Sequence, residues 1–173
     1  MIMPVYNERE TVLEIIRRVE AVDIPKEIII VDDDSTDQSR AIAARFSVCV
    51  LTQSHRGPAA ARNLGVASAS GEIVLFTDAD TEPTRNWIET MLAPFTADPN
   101  LAGVKGTYRT RQKEWIARFV QIEYEEKYAR MARARKIDVI DTYSAAYRRE
   151  VFTREGGFDE SFPFASAEDR EFS

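Results

Sequence analysis

The chain has 173 residues but only one cysteine, one histidine, seven glycines and seven prolines, and its 23 basic residues are outnumbered by 29 acidic ones. The lone Cys49 excludes an internal disulfide and with it a small stapled scaffold, so a reducing compartment is expected. Because Cys49 lies in the apolar run Val48-Cys49-Val50-Leu51, the thiol is expected in the core. A net charge of -6 and a pI near 5.0 argue against a general nucleic-acid binder, which needs a basic face against phosphate. Any anionic ligand is therefore expected to arrive with a metal. No run approaches the roughly 18–20 apolar residues of a membrane span, and the N-terminus lacks the charged-then-apolar layout of a signal peptide. The expectation is a soluble, cytoplasmic domain. No G-x-G-x-x-G follows the first apolar segment, which disfavours a dinucleotide-dependent enzyme, and no internal repeat, low-complexity tract or flexible linker is present.

The length suits one domain. Val12, Ile15, Ile16 and Val19 recur with helical spacing, and the isoleucine-rich run 27–31 that follows reads as a buried strand. Ser35-Thr36-Asp37 offers N-cap chemistry for a helix over about 36–46, after which 48–52 returns as a strand. Pro58 opens a further helix, Ala59 to Ser68, in the first turn where its missing N–H costs least, and 72–77 is the next strand. Strands alternating with helices in this way predict an α/β fold with a mostly parallel central sheet flanked by helices. Beyond it, Thr84 to Phe95 reads as helical, and Gly103 to Tyr108 as a strand whose glycines admit a ligand. A long helix over about 112–134 carries the stripe Trp115, Ile116, Phe119, Val120, Tyr124, Tyr128 and Met131. Lys127, Arg130, Arg133, Arg135 and Lys136 near its end either suit a helix C-terminus or form a basic surface for anionic lipid.

Chemistry is concentrated in acids at strand ends. Asp78-Ala79-Asp80 follows Ile73-Val74-Leu75-Phe76-Thr77, and Asp32-Asp33-Asp34 follows Glu27-Ile28-Ile29-Ile30-Val31. Parallel sheets collect ligands at the carboxyl ends of their strands, so both clusters should face one cleft. Two carboxylates one residue apart can hold Mg²⁺ or Mn²⁺, which typically takes one or two carboxylates plus substrate phosphates. An Asp-rich turn before Thr81-Glu82-Pro83 is the plainer account of the same residues. Asp32-Asp33 supplies acceptors for a base N–H or a ribose hydroxyl. Arg62 sits among small residues on its helix, placed either to reach the cleft or to pair with a surface acid. His55, between Ser54 and Arg56, reads as a polar surface residue and not as a base.

Together with Met3-Pro4-Val5-Tyr6-Asn7-Glu8 at the start and Glu168-Asp169 near the end, these clusters resemble the family 2 glycosyltransferases over about residues 2–173. The resemblance implies a GT-A, Rossmann-like fold in a single domain over 1–173. Its nucleotide-binding half would be 1–82, and 83–173 an acceptor-side half incomplete at its C-terminus. It implies inverting transfer of a sugar from a nucleotide-sugar donor, most commonly a UDP-sugar, to an acceptor hydroxyl. In such enzymes Pro4, Tyr6, Glu8, Asp33, Arg62 and Asp78 would serve the donor, with Asp33 on the nucleobase. Asp80 would hold the metal, Ser144 and Glu168 would lie on the acceptor side, and Asp169 would be the catalytic base. Asp159 and Glu160, in Gly156-Gly157-Phe158-Asp159-Glu160, belong to the same acceptor-side segment or act as loop and capping residues. Most relatives have glycine where Asp34 stands, so that Asp34 reads as a turn or capping carboxylate. Implied partners are a nucleotide-sugar donor and a sugar, lipid or glycan acceptor, with association at the inner face of the membrane for the full-length protein and the oligomeric state open.

Both ends look cut: Met1-Ile2-Met3-Pro4 leaves few residues for an inner strand, and Glu168 to Ser173 reads as a helix stopping in its first turns. A non-catalytic nucleotide-binding fragment is therefore the alternative. A receiver-like phosphoacceptor domain would share the acidic strand end, but it would begin with that strand, whereas here a strand-helix unit precedes it. Sugar nucleotidyltransferases need a glycine-rich basic loop that Met3 to Glu8 does not offer.

Overall fold

The computed structural model describes residues 1–134, 137 and 140–161. In chain order the elements are β1 (Ile2–Val5), α1 (Val12–Glu20), β2 (Ile29–Asp32), α2 (Ser39–Ala43), β3 (Cys49–Thr52), α3 (Pro58–Ser68), β4 (Ile73–Thr77), α4 (Trp87–Ala97), β5 (Gly103–Lys105), α5 (Trp115–Met131), β6 (Ser144–Arg148) and α6 (Arg149–Arg154). They build one six-stranded sheet in the order β3-β2-β1-β4-β6-β5. The first four strands run parallel, while β6 is antiparallel to both β4 and β5. The expected α/β architecture with a mostly parallel sheet is present. An antiparallel β6 and this strand order differ from the 2-1-3-4-5 order of flavodoxin-like receivers, which removes that alternative.

Two apolar layers sandwich the sheet. On one face Val12, Ile15, Ile16 and Val19 of α1 pack with Met3, Val5, Ile30 and Leu75, as their spacing requires. On the other, Ala59, Ala61 and Val66 of α3 meet Ile2, Val31, Val74 and Phe76. The small residues of α3 let its backbone approach closely: a Cβ added at Gly65 would lie 2.4 Å from Ile2 Cγ2. Phe76 centres a ring cluster with Tyr147, Phe152 and Phe158, whose centroids lie 5.7–6.1 Å away.

Several sequence expectations need correction. Cys49 is exposed, because β3 is an edge strand and its apolar run is covered on only one side. The helix expected over 36–46 shrinks to Ser39–Ala43: Asp37 Oδ1 accepts from the Ser39 N–H at 2.8 Å at its start, while the backbone of the residues before it is held by another loop. Asn7 Oδ1 accepts from the Thr36 and Asp37 backbone N–H groups at 2.9 and 3.3 Å, and Asp37 accepts from Arg9 N–H at 3.2 Å. Gly103 and Gly106 face side chains and not a ligand: Tyr147 fills the space at one and Ser144 the space at the other. None of the α5 residues is buried, and Trp115, Ile116, Phe119 and Val120 of the stripe are exposed. The helix lies past the β5 edge, and only its Tyr124 and Tyr128 side meets Tyr108 and Tyr143.

Asp34 has φ of +67°, a left-handed conformation natural to glycine and tolerated by aspartate. Asp34→Gly is expected to stabilise the fold by about 0.5–1 kcal/mol in urea unfolding. Gly65→Ala is expected to destabilise it by about 1–3 kcal/mol, because the methyl must displace Ile2 in a packed core.

Candidate active site

The parallel strands deliver their carboxyl ends to one edge. Tyr6 and Asn7 follow β1, Asp33 follows β2, Gln53 follows β3, and Asp78 follows β4. Asp33 N–H donates to the Val5 carbonyl at 2.8 Å, tying the first two of these ends together.

Asp33 is a buried carboxylate with donors around it. Gln53 Nε2 (2.7 Å) and Arg56 N–H (2.8 Å) donate to Oδ1, and Gly57 N–H (3.0 Å) donates to Oδ2. The fourth place belongs to His55, whose Nδ1 lies 3.2 Å from both Oδ2 and the Asp33 carbonyl oxygen. The imidazole also lies over Tyr6, with ring centroids 4.2 Å apart. Sequence reading left His55 on the surface and overlooked Gln53. Their separation of some 20 residues from Asp33 hides the contact, and only the pairing of β2 with β3 reveals it.

Arg62 is buried to 4% exposure, and its guanidinium donates to Asp78 Oδ1 at 2.9 Å. Of the two options open for Arg62, the structure chooses the cleft: its acid partner is the first carboxylate of the Asp78-Ala79-Asp80 triplet. Asp80, by contrast, is exposed and among the described residues receives only a long 3.4 Å contact from the Thr81 hydroxyl. One carboxylate compensated by arginine and one open to solvent suit a hard cation that brings its other ligands with it. Among the described residues no group of three metal-binding side chains occurs, so a cage built by protein alone does not form there. Mg²⁺ or Mn²⁺ shared with phosphate oxygens fits this donor set.

The remaining expected residues fall less directly at the site. Pro4 is a half-buried residue of β1 opposite Val31, and Glu8 accepts from the Thr11 hydroxyl at 2.8 Å and from Thr11 and Val12 N–H at its carbonyl, opening α1. Ser144 is buried, and its hydroxyl accepts from the Trp87 indole at 2.9 Å, which ties β6 to α4. Glu168 and Asp169 lie outside the described residues. The segment after α6 does reach the site. Asn63 of α3 donates to the Phe158 carbonyl and Glu160, and Phe158 N–H returns a bond to it. Gly157 has φ of +77°, and a Cβ there would meet Asn63 Oδ1 at 2.6 Å. Arg56 closes the same contact with a 2.5 Å ion pair to Glu160.

Beside Ser144 stands a polar cluster that the sequence did not announce. Lys105 and Lys127 both pair with Asp141, and the Tyr128 and Tyr143 hydroxyls lie 2.6 Å apart. Burial pushes the Asp141 carboxyl up, but the hydrogen bonds and charges of Lys105 and Lys127 prevail and hold it below its ordinary value. Burial, then the Tyr128 hydroxyl and the Asp141 charge, push the Tyr143 phenol well up, so it stays neutral. Arg111 and Arg18 both reach Glu82, two residues past Asp80, and so tie the loop before α5 to the site.

Comparison with known proteins agrees with this geometry. The profile of Glycosyl transferase family 2 matches residues 1–155. A poly-beta-1,6-N-acetyl-D-glucosamine synthase of Staphylococcus epidermidis is 34% identical over 150 residues, which is 82% of this chain and 36% of that protein. The mannosyltransferase PcManGT from Pyrobaculum calidifontis, solved in complex with GDP-Man and Mn²⁺, superposes with a TM-score of 0.79 at 26% identity over 99% of this chain and 49% of that one. Staphylococcus aureus TarS in complex with UDP, at 22% identity and a TM-score of 0.72 over 99% of this chain and 52% of that one, shares the fold. The chain spans about a third of the length of the curated relatives it matches. Sheet order, acidic strand ends and matched profile agree, and the chain belongs to glycosyl transferase family 2, with the GT-A fold.

Proposed function

We propose that this domain binds a nucleotide-sugar, most simply a UDP-sugar, across the carboxyl ends of β1, β2 and β4 and serves inverting transfer of the sugar to an acceptor hydroxyl. The observation that carries the reading is the division of labour at one sheet edge: a buried acceptor in Asp33, a charge-compensated Asp78 and an open Asp80. A carboxylate only accepts, so Asp33 would meet a donor edge of the base, such as the ring N–H of uracil or guanine. UDP and GDP-Man in the two similar structures are both of that kind.

In this reading Arg62 fixes the orientation of Asp78 and brings positive charge beneath the diphosphate. Asp80 holds Mg²⁺ or Mn²⁺, which when bound neutralises charge gathering on the departing diphosphate. Asp169 takes the proton of the acceptor hydroxyl while its oxygen bonds to the anomeric carbon and the carbon–oxygen bond to the diphosphate breaks. The acceptor is assigned to a lipid-borne or cell-envelope glycan, with exposed Arg130 at the end of α5 and Arg133 just past it toward the anionic surface.

Calorimetric titration of the chain with UDP and Mn²⁺ tests the donor site, with ADP as control. UDP binding that needs the metal and is weakened about tenfold or more in Asp80→Ala is expected, the value of one charge-assisted contact. Equal binding by parent and Asp80→Ala would overturn the metal assignment. Charge reversal at Arg130 and Arg133 is expected to lower binding to vesicles containing phosphatidylglycerol, and unchanged binding would remove the membrane-borne acceptor.

A further inference from the structure

Asp33 has no acceptor position left for a nucleobase. Each carboxylate oxygen takes about two donors, and the structure supplies four: Gln53 and Arg56 N–H on Oδ1, Gly57 N–H and His55 on Oδ2. Two of the four are backbone groups at the entry to α3, and Gln53 is tied to that entry as well, through a 3.3 Å bond to the Gly57 carbonyl. None of these three can leave without unmaking the start of the helix. His55 is different. Its side chain is 56% exposed and its hold on Asp33 is the longest of the four, at 3.2 Å.

The two contacts made by the imidazole are those that a base would make. It is a flat ring lying on Tyr6, which is itself 44% exposed, and it points an N–H at Asp33 Oδ2. A uracil or guanine ring seated on Tyr6 with its ring N–H toward Asp33 would use the same face and the same lone pair. We propose that the His55 imidazole holds the nucleobase position and that a nucleotide enters by displacing it, so that removing the ring raises nucleotide affinity. The inference rests on the nucleotide reading above.

The imidazole offers Asp33 one hydrogen bond, which the incoming base replaces in kind, so the departure of the ring is the cost that a nucleotide meets on entry. The groups about the ring are the Asp33 carboxylate after β2, the Tyr6 phenol after β1, and Arg56 on its own loop, whose guanidinium is drawn away to Glu160. The attraction is screened, because the imidazole faces water.

His55 is the sole histidine of the chain, so its ring protons give a single unmistakable pair of resonances. On addition of UDP with Mg²⁺ these are expected to move toward the positions of a free imidazole, and uridine alone is expected to move them the same way. Binding is followed by calorimetry in parallel. His55→Ala is expected to bind UDP about threefold to fivefold more tightly than the parent, whereas His55→Gln, which keeps an N–H donor for Asp33, is expected to bind it no more tightly than the parent. If UDP binds while the His55 resonances stay in place, or if His55→Ala binds UDP no more tightly than the parent, the imidazole is a fixed wall of the site and the proposal is overturned with the nucleotide reading intact. If folded protein binds no UDP at all, the nucleotide reading fails and the proposal falls with it.

Discussion

Much of this domain depends on the close approach of α3 to the central strand β1. A helix carrying a row of small residues lies so near that Gly65 has no room for a methyl group against Ile2. That proximity sets the depth at which everything else on the helix sits. Arg62 is sunk in the protein with its guanidinium beneath Asp78, the N–H groups at the helix entry converge on Asp33, and Asn63 grips the 157–160 segment. One packing constraint thus positions the buried Asp33 carboxylate, the Arg62–Asp78 ion pair and the loop that approaches from the far half of the chain.

Where a residue's environment is set by its neighbours in sequence, the chain could be read directly. The α1 stripe, the buried strands β1, β2 and β4, the proline at the start of α3 and the acids at strand ends all follow from local pattern plus the rule that parallel strands end together. Where the outcome depended on what lies across the sheet, local pattern misled. Cys49 sits in an apolar run, yet β3 has a neighbour on one side only. Ser35, Thr36 and Asp37 look like a helix start, yet only Asp37 meets α2, because the loop after β1 holds the segment: Asn7 N–H donates to the Ser35 hydroxyl, and Asn7 Oδ1 accepts from the Thr36 and Asp37 N–H groups. The α5 stripe has helical spacing but no layer against its outer face among the described residues.

The candidate site shows the same divide. Asp33, Arg62, Asp78 and Asp80 stand out in their own stretches, as acids at strand ends and an arginine among small residues. Nothing in their own stretch distinguishes Gln53 and His55 from ordinary loop residues until β2 and β3 are side by side. The partner of the Ser144 hydroxyl, the Trp87 indole, is likewise hidden by sequence distance.

The single thiol has a practical meaning. Cys49 opens the outermost strand of the sheet, at the end away from the nucleotide edge, and its side chain meets solvent. At about 3.3 Å per residue, roughly 13 Å of strand separates its backbone position from that of Gln53. A thiol-directed fluorophore would attach there alone, on the outer edge of the sheet.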